Sequence, residues 1–318
     1  MIGHGSVALA VSFVESGSNP RYIAVTKYAS SMPRPPVETI ADQLFFTTVF
    51  IETFTQTSRS TGTGFIINYL QGDQATPVLI TNKHVFEGAE EAAFTLARDA
   101  NGEPANSGTR MTVTAFNRQS WVGHPDAAVD VAAMFFGTVL NAMTENEAPA
   151  FYRGFGSEQL LTQTDTEELD AIEHITLIGY PNGLFDQSSM LPIARRGQTA
   201  TPIFDNYNGL PAFLIDASVF PGSSGSPVVL YDRGTFTTRD GTTYFGSRLA
   251  LLGVVAAVHA RQVNGVVQMI STGVATFDDM IDLGIVFKTS AIQECVFALF
   301  ESVGLPLPTK AVPPQQLA

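Results

Sequence analysis

Pro221-Gly222-Ser223-Ser224-Gly225-Ser226-Pro227 decides how this chain is read. An apolar run, Ala212-Phe213-Leu214-Ile215, precedes it and another, Val228-Val229-Leu230, follows. That is the pattern of two strands joined by a tight turn. Glycines let the backbone turn sharply and aim its N–H groups inward. Inward N–H groups beside a hydroxyl can hold an oxyanion. Ser224 is therefore the candidate nucleophile, and the amides of Gly222, Ser223 and Ser224 are the candidate oxyanion pocket. Clusters of Gly, Ser and Pro between strands are most often plain turns, so a catalytic reading needs partners elsewhere in the chain.

A serine hydroxyl is a poor nucleophile near neutral pH. A nearby imidazole has to take its proton and later pass it to the leaving group. A buried carboxylate fixes the tautomer of that imidazole and stabilises its charged form. His84 ends the apolar strand Val78-Leu79-Ile80-Thr81 after the polar turn Asn82-Lys83, where an imidazole can reach into a cleft from a fixed backbone. Surface and capping roles suit a histidine equally well. Two carboxylates compete for the third position. Asp130 runs directly into the apolar strand Val131-Ala132-Ala133-Met134-Phe135, so it is partly buried and needs a donor. Asp126 sits in the turn His124-Pro125-Asp126, where an Asx turn or solvent satisfies it. The burial argument favours Asp130.

The rest of the composition narrows the function. A chain of 318 residues fills one large domain or two small ones. At that size it buries roughly 75% of its unfolded surface and needs neither disulfide nor metal for stability. Cys295 is the only cysteine, so no internal disulfide forms, and its apolar neighbours Val296-Phe297-Ala298-Leu299 read as a buried, non-catalytic thiol. The net charge of −13 argues against nucleic acid held through phosphates. No run of ~18 apolar residues is present, so no membrane span is expected. The apolar patch Val7–Val14 has no Lys or Arg before it and makes a poor secretory signal; the expectation is a cytoplasmic chain rather than a secreted or periplasmic one. His4, His84, His124, His174 and His259 show no metal spacing, and no metal or other cofactor is expected. Oligomeric state is not legible.

Short apolar runs between Gly, Asn, Asp and Pro read as antiparallel β-structure. Val7–Val14 and Tyr22–Tyr28 suit a hairpin, Met32-Pro33-Arg34-Pro35-Pro36 a stiff connector, and Val37–Leu44 a short helix. Strands are expected at Phe45–Phe54, Gly64–Tyr69, Val78–Thr81, Met111–Phe116 and Val131–Phe136. The acidic stretch 141–171 reads as a solvated connector. Strands resume at Ile175–Tyr180, Arg195–Ala200, Ala212–Asp216, Pro227–Tyr231, Arg248–Val258, Val266–Ser271 and Gly284–Lys288. Helical spacing over Ser290–Ser302 and a Pro-rich tail from residue 303 close the chain.

These segments resemble the chymotrypsin-like (trypsin-fold) serine peptidases, and most of all their bacterial HtrA/DegP-like branch. Thr63-Gly64-Phe65-Ile66-Ile67 with Leu79-Ile80-Thr81-Asn82-Lys83-His84-Val85 is similar to the histidine segment of that branch. Val129-Asp130-Val131-Ala132 is similar to its aspartate segment, and Ile215 to Pro227 to its nucleophile segment. The order His, Asp, Ser matches too. The resemblance covers roughly residues 45–302. It implies an all-β fold of two six-stranded antiparallel β-barrels, 45–140 and 172–302, with a closing helix, an N-terminal extension over 1–44 and a tail over 303–318. It implies a serine endopeptidase acting on a protein or peptide through His84, Asp130 and Ser224.

The resemblance has departures. Ser226 stands where glycine is usual, and a small residue there should be tolerated. Ser223 stands where relatives activated by cleavage carry an acid, so no activation through a new N-terminus is expected. Too few residues follow the closing helix for a PDZ module. By the same resemblance the specificity pocket is lined by Ser218, Val219 and Phe220 and by Ala256, Ala257, Val258 and His259. Ser218 replaces the acid of trypsin-like members, so a small or medium apolar side chain is the expected preference, with the substrate backbone pairing along Ala256–Val258. His259 suits a Glu or Gln preference as the alternative. Two other classes fit the same residues. One is a catalytically idle binding module of this fold. The other is an acyl hydrolase, although the Gly-x-Ser-x-Gly elbow and alternating β/α elements of α/β-hydrolases are missing.

Overall fold

The structure is a computed structural model that describes residues 22–23, 36–71, 74–267 and 273–308, with backbone alone at 22–23, 71, 157, 163 and 257–281. Six strands build the first half: β1 (Thr48–Phe54), β2 (Arg59–Gln71), β3 (Gln74–Thr81), β4 (Glu91–Ala100), β5 (Glu103–Thr114) and β6 (Ala132–Phe135). Their antiparallel order is β5-β4-β1-β2-β3-β6. Two-residue strands extend this sheet: Tyr22–Ile23 on β5, Val122–Gly123 on β6 and Ala150–Phe151 on β4. Alternation assigns the inner face, because side chains two apart share a side of a strand. Val49 and Ile51, Ile66, Leu79, Ala92, Phe94 and Leu96, Met111, and Ala132 and Met134 all turn into one buried cluster to which each of the six strands contributes.

The second half is a closed barrel of β7 (His174–Gly179), β8 (Ile193–Thr199), β9 (Ala212–Asp216), β10 (Pro227–Asp232), β11 (Arg248–Val267) and β12 (Gly273–Lys288), in the order β7-β8-β9-β12-β11-β10. Ile175, Leu177, Phe213, Ile215, Val228, Leu230, Leu252, Val255 and Val286 fill it. This is the all-β chymotrypsin-like arrangement. A third cluster welds the halves and the C-terminal helix (Thr289–Ser302) together. It joins Phe65, Ile67 and Ile80 of the first half to Ile178, Val229, Leu251 and Val254 of the second, and to Ile292, Cys295, Val296, Leu299 and Phe300 of the helix. His124 reinforces this contact: its buried ring accepts the Asp126 N–H at Nδ1 (3.0 Å) and faces Glu294 Oε2 from Nε2 at 3.1 Å. It is therefore a structural bolt rather than the ordinary turn histidine its sequence setting indicates.

Two expectations need correction. The stretch 141–171 is not a solvated connector: Ala150–Phe151 pairs with β4, the helix Gly137–Glu145 reaches into it, and Phe155, Leu160, Leu161 and Leu169 are buried. Its charges lie on the outward side, and counting them hid the apolar residues between. Glu91–Ala100, to which no element is assigned from the sequence, is a central strand paired with β1 and β5. Of the expected strand Val266–Ser271, Val266 and Val267 end β11, and residues 268–271 lie outside the described residues. The expected Val7–Val14 hairpin, the connector before Pro36 and the tail beyond residue 308 lie outside the described residues, although Tyr22–Ile23 pairs with β5.

The seam is tight. Gly225 has φ +85°, and a Cβ on it would collide with Thr63 O and Thr81 Oγ1. Beside it Ser226 is fully buried, and its Oγ finds no hydrogen-bond partner among the described residues. An unpaired buried hydroxyl costs about 1–3 kcal/mol. Ser226→Ala should therefore raise stability by about 1 kcal/mol in denaturant titration, with an unchanged m-value. Burial also pushes the Cys295 thiol up to about 12, and its Sγ lies against the carbonyls of Val122 and Val131. The thiol stays protonated in the native protein, and only a thiolate attacks alkylating agents. Iodoacetamide at pH 8 should leave folded Cys295 unmodified by mass spectrometry and label it promptly once the chain is unfolded.

Candidate active site

β3 delivers His84. The strand ends at Thr81, Asn82 precedes the one-turn helix Lys83–Phe86, and the imidazole leaves that turn half exposed. Asp130 lies between the buried Val129 and Val131, just ahead of β6. Because β3 and β6 are paired neighbours, the two side chains meet. His84 Nδ1 and Asp130 Oδ2 are 2.5 Å apart, the His84 backbone N–H donates to Asp130 Oδ1 (3.2 Å), and Asn82 Nδ2 donates to Asp130 O (2.6 Å). A carboxylate on Nδ1 places the ring proton there and leaves the Nε2 lone pair free as a base. Asp126 stays out of this arrangement. Its carboxylate accepts the Ala128 N–H in an Asx turn, and its carbonyl accepts from Lys83 Nζ.

Ser224 stands in the turn between β9 and β10. Thr63 of β2 holds that turn against the first half. Its N–H donates to Ser224 O (2.9 Å), its Oγ1 donates to Gly222 O (2.9 Å) and accepts the Tyr180 N–H (3.1 Å), and its carbonyl accepts from Thr81 Oγ1 (2.6 Å). Thr81 lies three residues before His84, so a continuous line of hydrogen bonds runs from the serine turn to the histidine strand. Ser224 Oγ lies 3.4 Å from Ala256 O, a long contact, and no hydrogen bond joins it to His84. In proteins without substrate such contacts are often loose.

Gly222 takes φ +81°. Among the described residues no acceptor takes the N–H of Gly222 or of Ser224, and both remain available to an oxyanion. The Ser223 amide differs from expectation: it donates to Phe220 O at 2.9 Å. The turn consumes that donor, because successive amides in so tight a bend cannot all face one side.

The specificity residues divide. Ser218 and Phe220 are exposed. Val219 is buried in the second-barrel core against Gly284 and does not face solvent, which corrects its expected place on the pocket wall: alternation along the chain turns it inward. Ala256 is buried, and the β11–β12 register shifts between Val255 and Ala257. That bulge aims the Ala256 carbonyl at the serine. Ala257, Val258 and His259 lie on β11, but their side chains fall outside the described residues. Pairing of β11 with β10 stops at Val254, so beyond Val255 this strand pairs, among the described residues, only with β12, which leaves its other edge free among them. Across the oxyanion turn lies a cleft of about 430 Å³ lined by Phe50, Glu52, Arg59, Arg110, Phe185 and Met190, in which both arginines pair with Glu52. Thr63 and Arg195 escaped the sequence reading as site residues. Thr63 stood in view inside a segment read for its histidine, whereas nothing in Arg195-Arg196 separates it from a solvated basic pair.

The family model for the trypsin-like peptidase domain matches residues 62–237. Among solved structures, a serine endoprotease from Yersinia pestis is 16% identical over 83% of this chain and 66% of that one, with a TM-score of 0.42. This chain thus spans slightly less than two thirds of its length. A thermostable serine protease from an extremophilic microorganism is 14% identical over 82% of this chain and 98% of that one (TM-score 0.41). Catalytically active tobacco etch virus protease is 16% identical over 73% of each chain (TM-score 0.39). No curated protein matches the sequence. The family model covers more than half of the 318 residues, and the chain belongs to the trypsin-like peptidase domain family.

Proposed function

We propose that this protein is a serine endopeptidase that cleaves protein or peptide substrates through an acyl-enzyme. The carrying observation is the 2.5 Å contact between His84 Nδ1 and Asp130 Oδ2 on the strand that Thr81 and Thr63 couple to the Ser224 turn. Ser224 Oγ leaves its long contact with Ala256 O and turns to Nε2 of His84. As Oγ bonds to the scissile carbonyl carbon, its proton moves to Nε2 and the carbonyl π electrons move onto oxygen. The N–H groups of Gly222 and Ser224 hold that oxyanion, while Asp130 stabilises the imidazolium. The C–N bond then breaks, the amine leaves with the proton from Nε2, and water repeats the sequence to release the acid.

The acyl half of the substrate adds a strand to the free edge at Ala256–Val258. Ser218 supplies no carboxylate for a substrate Lys or Arg, which supports a preference for small or medium apolar side chains. The leaving half runs past Asn182 and Gly183 toward the cleft beside β1 and β2.

A fluorophosphonate probe should label the wild-type protein and not Ser224→Ala. Absence of labelling in folded wild type would leave the binding-module reading. Asp130→Asn should retain the fold and lose about 10⁴ in kcat, whereas Asp126→Asn should keep it. A peptide library should show cleavage after small or medium apolar residues. Ester turnover without peptide turnover would point to an acyl hydrolase instead, and a Glu or Gln preference that is lost in His259→Ala would favour a peptidase whose specificity rests on His259. Protonated imidazole cannot accept the serine proton, so the rate should fall on acidification; a pH-independent rate contradicts the role given to His84.

A further inference from the structure

We propose that Arg195 is a positioning residue: its guanidinium, rooted on β8, clamps the oxyanion turn and the adjoining specificity wall in their working conformation. Arg195 is held at its backbone by the β7–β8 register, opposite Leu177. It shares the inner face of β8 with Gly197, which lies against Ala217, and with buried Thr199. Its Nη1 donates to Ser218 O (2.6 Å) and its Nη2 to Ser223 Oγ (3.0 Å). Ser223 is fully buried, and the same Oγ also accepts the Phe220 N–H at 3.3 Å. One planar group therefore fixes both ends of 218–223, the segment that contributes an oxyanion donor and the exposed specificity residues.

The clamp is not the arrangement that stability alone would select. The cation is half-buried, its Nε lacks a partner among the described residues, and no carboxylate raises its pKa. Burial lowers the guanidinium to about 10, so it is still charged at neutral pH. Desolvating a cation onto two neutral oxygens is costly. What it achieves is geometric: two divergent N–H groups in a rigid fork set the distance between the Ser218 carbonyl and the Ser223 hydroxyl. The turn has no disulfide, and Asn182, Thr63 and Val255 hold only its far half, through Pro221 O, Gly222 O, Ser224 O and the Gly225 N–H.

The test uses the full chain with two readouts, one of them independent of activity. Hydrogen exchange followed by mass spectrometry should show the amides of 218–226 exchanging at least about 10-fold faster in Arg195→Met, with β1–β6 unchanged. Labelling of Ser224 by a small fluorophosphonate without a side chain for the pocket should slow about 100-fold. Arg195→Lys should recover part of both effects. Ser223→Ala removes the acceptor and should loosen the same segment. The double variant should lose less than the sum of the two single losses, because both changes break the Arg195–Ser223 contact, while Ser223→Ala alone also takes the acceptor from the Phe220 N–H. Unchanged exchange at 218–226, exchange that rises equally throughout the second barrel, or additive losses overturn the clamp. If Arg195→Met does not fold, Ser223→Ala decides by the same exchange readout. The labelling arm rests on the reading of Ser224 as nucleophile. If the wild type does not label while 218–226 still loosens, that reading fails and the clamp stands.

Discussion

Thr63 makes four hydrogen bonds that reach both halves of the molecule, and the geometry of the groove depends on them. Its main chain belongs to β2, yet its N–H and hydroxyl donate into the 222–224 turn, and its hydroxyl also receives the Tyr180 amide at the end of β7. Thr63 is fully buried, where a lost partner costs the full desolvation of the group left behind. A side chain with only a donor or only an acceptor cannot serve Gly222 O and the Tyr180 N–H together; a hydroxyl can. The absence of a Cβ at Gly225 lets this join close.

Two kinds of constraint meet at the groove. Apolar clusters fix where the sheets lie, but they are tolerant of small shifts. Directional bonds set the remaining ångström: Asp130 on His84, Thr63 on the serine turn, Arg195 on Ser218 and Ser223. The acidic surface of the protein plays no part in these contacts. The site charge at issue is one exposed histidine-carboxylate pair and one half-buried guanidinium.

Much of this was legible in the sequence where local pattern and tertiary role agree. Ala212–Asp216 and Pro227–Tyr231 read as strands because β-branched and apolar residues run unbroken between turn residues, and both appear within one residue of their expected ends. The choice of Asp130 over Asp126 followed from which carboxylate runs into a buried strand. Elsewhere the pattern fell short. Glu91–Ala100 carries no marked strand signal in the sequence and is defined as a strand by its pairing with β1 and β5. Phe155 and Leu160 were lost among acidic neighbours. The commitment of the Ser223 amide to Phe220 O could not be read from composition, since a turn's hydrogen bonds depend on dihedral angles rather than residue types. Arg195 is the extreme case: its partners lie 23 and 28 positions away, and no spacing rule connects them.

The C-terminal helix completes the first half of the molecule as well as the second. Glu294 meets His124 across 170 positions of chain, and Cys295 meets Val122 across 173. While the protein is being made, the early strands must wait with one flank uncovered until residues 289–302 have left the ribosome. Bringing ends so far apart into register carries a large chain-entropy cost before any contact compensates it. A premature stop shortly before residue 289 would thus yield not a trimmed protein but a chain whose first-made sheet is bare on the side it should have covered last.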